Sequence, residues 1–135
     1  MFGGEGETLV LNANHLLVKE LLENNHEDLF DIKISDESYS TSNQGNTFVE
    51  IDNQKYGHIL SPKTGYPGKN KQIGIVTKEA FTGDIISTGL YNQTPEKFLE
   101  ILDKLNRETK VEGYMIDENG KIHYSEGFFK YIVKE

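Results

Sequence analysis

Two short stretches of this sequence put chemically useful side chains at defined spacings. In GDIISTG, Gly83 to Gly89, Asp84 and Thr88 are four residues apart. On a helix that spacing stacks a carboxylate and a hydroxyl on one face, with β-carbons about 5–6 Å apart. Such a pair can share a hard cation, and magnesium takes few protein oxygens because it keeps water or phosphate in its other positions. Ser87 adjoins the same face and can add a hydroxyl directly or through water. The same residues also admit a purely structural account: the helix dipole favours Asp84 near a helix start, and Thr88 can bond back to a carbonyl.

The second stretch is HILSPKTGYP, His58 to Pro67. Pro62 and Pro67 fix backbone angles near both ends, and Gly65 can take the left-handed conformation, so the loop reads as rigid. Rigid loops beside buried strands are where ligands are gripped. His58, on the strand entering the loop, ionises close to neutrality when unperturbed and can act as a base or orient a phosphate; a half-buried strand histidine with satisfied nitrogens is the alternative. His15, His26 and His123 are scattered, which argues against a histidine metal site.

These residues must be positioned by one small domain. The chain has 135 residues, 36% of them hydrophobic, which suffices for one core, and 1–135 is read as a single domain. A net charge of -8 opposes nucleic acid and anionic membranes. An anionic ligand therefore needs local help from a metal ion or a helix N-terminus. Without cysteine there is neither a disulfide nor a thiolate site. No apolar run approaches a membrane span, and the start, MFGGEGETLVLN, has no basic region leading into an apolar one. Localisation stays open.

Hydrophobic patterning predicts a helix capped at Asn12 or Asn14, carrying Leu16, Leu17, Leu21 and Leu22, and stopping at Asn24 and Asn25. A strand follows at Leu29 to Ile34, then a polar loop from Ser35 to Asn46. Phe48 to Ile51 and Tyr56 to Leu60 form a hairpin turning at Asp52 and Asn53, and Ile73 to Thr77 is a strand buried on both faces. One helix runs from near Thr82 to about Tyr91. Another has Thr94 as N-cap and Pro95 at its first position. A second hairpin turns at Glu118 to Gly120. The expected class is α+β, a largely antiparallel sheet with packed helices.

The order of these motifs carries a resemblance. HILSPKTGYP, a buried strand and GDIISTG opening a helix resemble the ApbE family of magnesium-dependent FAD:protein FMN transferases, whose fold is related to the T-fold. YSTSNQGN resembles the family's Thr-Ser-Gly loop, TPEK the Pro-Glu that begins the next helix, and FGGE (Phe2 to Glu5) a segment of paired glycines. A departure is Ser61, where Asp is common. The resemblance covers nearly the whole chain but only the C-terminal part of the family domain. It implies Asp84 and Thr88 as magnesium ligands with Ser87 as an additional one, His58 as the catalytic histidine, and Leu60, Thr64 and Gly65 lining the FAD pocket. FAD would be the substrate and a threonine of an acceptor protein would receive FMN, in an incomplete or truncated form of the enzyme. A non-catalytic flavin-nucleotide or partner-binding module and an FAD pyrophosphatase are the alternatives, and a homodimer or a complementing chain is left open.

Overall fold

Gln72–Thr77 is a strand with all six residues buried, and the rest of the structure is arranged around it. The computed structural model describes residues 8–10 as backbone, and residues 30–44 and 48–133 in full. The helix expected around 12–25 and the FGGE segment lie outside the described residues. In chain order the elements are β1 (Thr8–Val10), β2 (Lys33–Ser35), β3 (Ser38–Asn43), β4 (Phe48–Ile51), β5 (Gln54–Gly57), β6 (Gln72–Thr77), α1 (Ala80–Leu90), α2 (Pro95–Asn106), β7 (Val111–Ile116) and β8 (Ile122–Tyr124). A 3₁₀ helix, Glu126–Tyr131, follows.

The main sheet has the order β3-β6-β7-β8 with every pair antiparallel, which is the α+β arrangement expected. β1 pairs with β2, and β4 with β5, in separate two-stranded ribbons. Asp52 and Asn53 both have positive φ, 51° and 64°, the signature of a type I′ turn that matches strand twist. This second ribbon holds Phe48, Val49, Ile51 and Tyr56 out to solvent.

A strand buried on both faces needs cover on both. On one face α1 and α2 supply Leu90, Phe98 and Leu102, which pack with Tyr91 on Ile73, Ile75, Val111 and Met115. On the other face lie Ile32, Ile34, Phe128 and Tyr131 against Val76, Tyr114 and Ile116. Full burial of a residue such as Phe98 contributes about 1.5–3 kcal/mol. The second face is aromatic: the Phe30 ring stands edge-on to Tyr114 at 5.2 Å and Phe128 tilts against Tyr114 at 5.2 Å. Beneath them the Tyr39 and Tyr114 hydroxyls share a hydrogen bond of 2.6 Å.

Both helices start close to where the sequence places them. Thr94 Oγ1 accepts from the Lys97 amide at 3.3 Å, with Pro95 at the first helical position. α1 begins at Ala80 rather than Thr82, because the Glu79 carbonyl already accepts from the Gly83 amide at 3.2 Å.

The segment from Ser35 to Asn46 is a correction. Its polar composition reads as a loop, yet residues 38–43 form the edge strand β3, in register with β6 from Ser38↔Thr77 to Asn43↔Gln72. The reason is the company it keeps. An edge strand needs no apolar face of its own when its backbone pairs with a strand as buried as β6, and small hydroxyl side chains let a helix approach closely.

Candidate functional site

That close approach is made at Gly83. A β-carbon there would lie 2.7 Å from both Ser40 Oγ and Thr77 Oγ1, so any side chain would push α1 off the sheet. With hydrogen alone, the first turns of α1 settle on β3, and the residues that follow, Asp84 and Thr88, reach the rim of a cleft of about 670 Å³.

The opposite wall is the loop after β5, which contributes His58, Leu60 and Pro62; β3 forms the floor with Thr41, Ser42 and Asn43. The loop is closed by its own backbone. Leu60 bridges Pro67, the Ser61 amide donates to the Tyr66 carbonyl at 2.8 Å, and the Gly65 amide donates to the Ser61 carbonyl at 2.8 Å. Gly65 has φ of 72°, the left-handed value anticipated for it. Thr64 Oγ1 accepts from the Tyr66 amide at 3.2 Å.

The loop is also fastened to the end of α1. Asn92 Nδ2 donates to the Leu60 carbonyl at 3.1 Å, and Asn70 Nδ2 donates to the carbonyls of Tyr91 and Gln93 at 2.7 and 2.8 Å. The Tyr91 hydroxyl donates to the Asn70 carbonyl. Burial pushes the Tyr91 phenol well above its ordinary range, so it stays a neutral donor at any physiological pH. These ties fix the distance between the wall bearing His58 and the helix bearing Asp84.

The cleft thus gathers His58, Leu60, Asp84 and Thr88 from the residues singled out in the sequence. The other three are placed elsewhere. Thr64 and Gly65 stand outside the cleft lining, on the exposed turn between the prolines. Ser87 is completely buried; its Oγ bonds Ser42 Oγ at 2.9 Å and donates to the Asp84 carbonyl at 3.1 Å.

Among the cleft residues that the sequence motifs do not mark, two shape the site. Ser42 is 7% exposed and touches both Ser87 and Thr88, the latter at 3.1 Å; the expectation of a loop over Ser35 to Asn46 concealed its position. Asn92 fastens the loop from just beyond α1. SYSTSN has no apolar–polar alternation to reveal the strand that places the first, and no sequence pattern marks the second.

The donor set suits a hard cation. α1 offers the cleft one carboxylate and one hydroxyl, both oxygen donors, and among the described residues no group of three His, Cys, Asp or Glu is placed to hold a metal ion by itself. Two protein oxygens with the remaining positions left to water or phosphate is an ordinary requirement of magnesium.

Known proteins share this framework. A model of the ApbE family matches residues 19–115, and the chain belongs to the ApbE family. The FAD:protein FMN transferase of Escherichia coli K12 is 28% identical over 109 residues, which span 77% of this chain and 30% of that protein. The enzyme of the same name from Haemophilus influenzae is 27% identical over 107 residues, 76% of this chain and 30% of its own length. Among solved structures, the ApbE protein of Thermotoga maritima aligns over 94% of this chain and 39% of its own, with a TM-score of 0.73 and 21% identity. The likeness in structure is one of fold. The chain spans about a third of the length of the relatives it matches.

Proposed function

We propose that this chain carries the magnesium and nucleotide side of an FAD:protein FMN transferase site. The observation that supports the reading is the cleft itself, in which Asp84 and Thr88 on α1 face His58 and Leu60 on a loop tied to the same helix.

Asp84 and Thr88 would hold the magnesium ion, which when bound offsets charge on the pyrophosphate of FAD. Ser87, one position before Thr88, stands behind this pair. Leu60, with Thr64 and Gly65 shaping the turn beyond it, would line the path of the dinucleotide. His58 would take the proton from the hydroxyl of an acceptor threonine as that oxygen attacks the FMN phosphorus. The phosphorus–oxygen bond to AMP breaks, AMP leaves, and FMN is joined to the threonine by a phosphoester. If water attacks in place of the threonine, the products are FMN and AMP. Among the described residues no helix is long and apolar enough to cross a membrane, and the partners are FAD and the acceptor protein.

Calorimetric titration of the chain with FAD, with and without magnesium, tests the assignment. Binding is expected to require magnesium and to weaken at least about a hundredfold in Asp84→Ala, the scale of several kcal/mol of lost charge stabilisation. FAD binding indifferent both to magnesium and to Asp84 would remove the assignment.

A further inference from the structure

Three hydroxyls lie in a row running from beneath the cleft to its rim, and their protons can be counted. Ser87 Oγ is 3.1 Å from the Asp84 carbonyl, Ser42 Oγ is 2.9 Å from Ser87 Oγ, and Thr88 Oγ1 is 3.1 Å from Ser42 Oγ. A hydroxyl has one proton to give and two lone pairs to receive with. The carbonyl of Asp84 can only accept, so the Ser87 proton is committed to it. The Ser42–Ser87 contact must then be made with the Ser42 proton. That leaves Thr88 as the donor to Ser42. Three protons satisfy three contacts in one order only, Thr88 to Ser42 to Ser87 to the Asp84 carbonyl.

Direction is what matters at the cleft. We propose that Ser42 is a positioning residue: by accepting the Thr88 proton it turns that proton inward and leaves the lone pairs of Thr88 Oγ1 for a divalent cation in the cleft. A neutral hydroxyl ligates through a lone pair, and the reverse chain would aim a proton at the ion. Polarity is set at the far end, where the carbonyl belongs to Asp84, the residue whose carboxylate is the other oxygen donor. Burial keeps water from competing for the bonds at Ser42 and Ser87, at 7% and 0% exposure, while Thr88 stands open to the cleft. Ser42 can hold this place because β3 is a strand in register with β6, where Ser42 faces Ile73. The inference rests on the proposed metal role of Asp84 and Thr88 and adds the group that orients one of them.

Manganese titration of the chain alone, followed by electron paramagnetic resonance, reads cation affinity without nucleotide or turnover. Ser42→Ala is expected to weaken manganese binding roughly 10- to 100-fold, the usual effect of removing a partner that orients a ligand. In a Thr88→Val background the same substitution should change nothing further, because Ser42 acts through the Thr88 hydroxyl. Should Ser42→Ala unfold, Ser42→Cys keeps nearly the volume with a much weaker acceptor and is read the same way. Unchanged affinity in the Ser42 variants, with Asp84→Ala still deleterious, would overturn this inference alone, as would an equal penalty in the Thr88→Val background. Manganese binding indifferent to Asp84→Ala, or absent from the parent chain, would overturn the metal assignment and this inference with it.

Discussion

Two buried polar networks are built on the main sheet, one open and one closed. Ser42 sits opposite Ile73 of β6 and joins a chain of hydroxyls that surfaces at Thr88 in the cleft. Glu112 sits opposite Val76, toward the other end of the same strand, and both oxygens of its carboxylate are engaged: Asn106 Nδ2 donates to one at 2.7 Å and Ser125 Oγ to the other. Asn106 Oδ1 in turn accepts from the Val111 amide at 3.1 Å, and Ser125 Oγ accepts from the Gly113 amide at 2.9 Å. Every partner in this second group lies within the fold, so it stitches α2, β7 and the turn into the 3₁₀ helix. A buried carboxylate alone therefore does not mark a site. What separates the two networks is whether accepting capacity is left facing a space that a ligand can enter.

The comparison is broken most severely at Glu112. Glu112→Ala strands the donors of Asn106 and Ser125 and should lower unfolding free energy by about 2–4 kcal/mol, read by urea denaturation. Manganese affinity should be unchanged. Asp84 is exposed, and Asp84→Ala should do the reverse, abolishing cation binding while moving stability by less than about 0.5 kcal/mol. A large stability loss from Asp84→Ala would mean that the two networks do not differ in kind.

Gly83→Ala tests what holds the open network together. The added methyl meets Ser40 and Thr77, so a stability loss of about 1–3 kcal/mol is expected from overpacking. Because displacement of α1 separates Thr88 from Ser42, manganese affinity should fall as well. Loss of stability with affinity intact would show that α1 tolerates the shift without disturbing the hydroxyl chain.

The smallest effect belongs to a second closed group, at the β7–β8 turn. Asp117 Oδ2 pairs with His123 Nε2 at 2.8 Å, and Oδ1 accepts from the amides of Asn119 and Lys121 at 2.9 and 3.0 Å. The bond from His123, helped by the two amides and opposed by partial burial, holds the Asp117 carboxyl below its ordinary range. A depressed folded-state value means that the stabilisation is present above the unfolded carboxylate range near pH 4 and is lost as pH falls through the folded value. Asp117→Asn should thus make the chain slightly less stable near neutrality, and its melting temperature should fall less between about pH 5 and pH 3 than that of the parent. Identical acid sensitivity in the two proteins would remove the group from the account.

Much of this was legible where local and tertiary signals agree. Thr94, Pro95 and Glu96 announce α2, because capping oxygen, fixed φ and dipole act within a single turn. Ile73 to Thr77 reads as doubly covered because no polar residue interrupts Ile73 to Val76, and the structure covers it on both faces. The motif pair Asp84 and Thr88 was visible from spacing, and the cleft it shares with His58 was an expectation only of the family resemblance. β3 was not legible, since its strand character comes from pairing with β6 rather than from SYSTSN itself. For the same reason Ser42 was invisible: its meaning depends on a helix that arrives more than forty residues later in the chain. Asn92 eluded sequence reasoning because a side chain that fastens a distant carbonyl leaves no periodic trace.

The fastenings made by Asn70, Tyr91 and Asn92 have a thermodynamic corollary for any ligand of the cleft. The wall carrying His58 is already immobilised when the chain folds, so little backbone freedom remains to be surrendered on docking. Association should therefore resemble entry into a rigid mould, with a heat-capacity change reflecting the surface covered and no added contribution from a segment that folds around its guest.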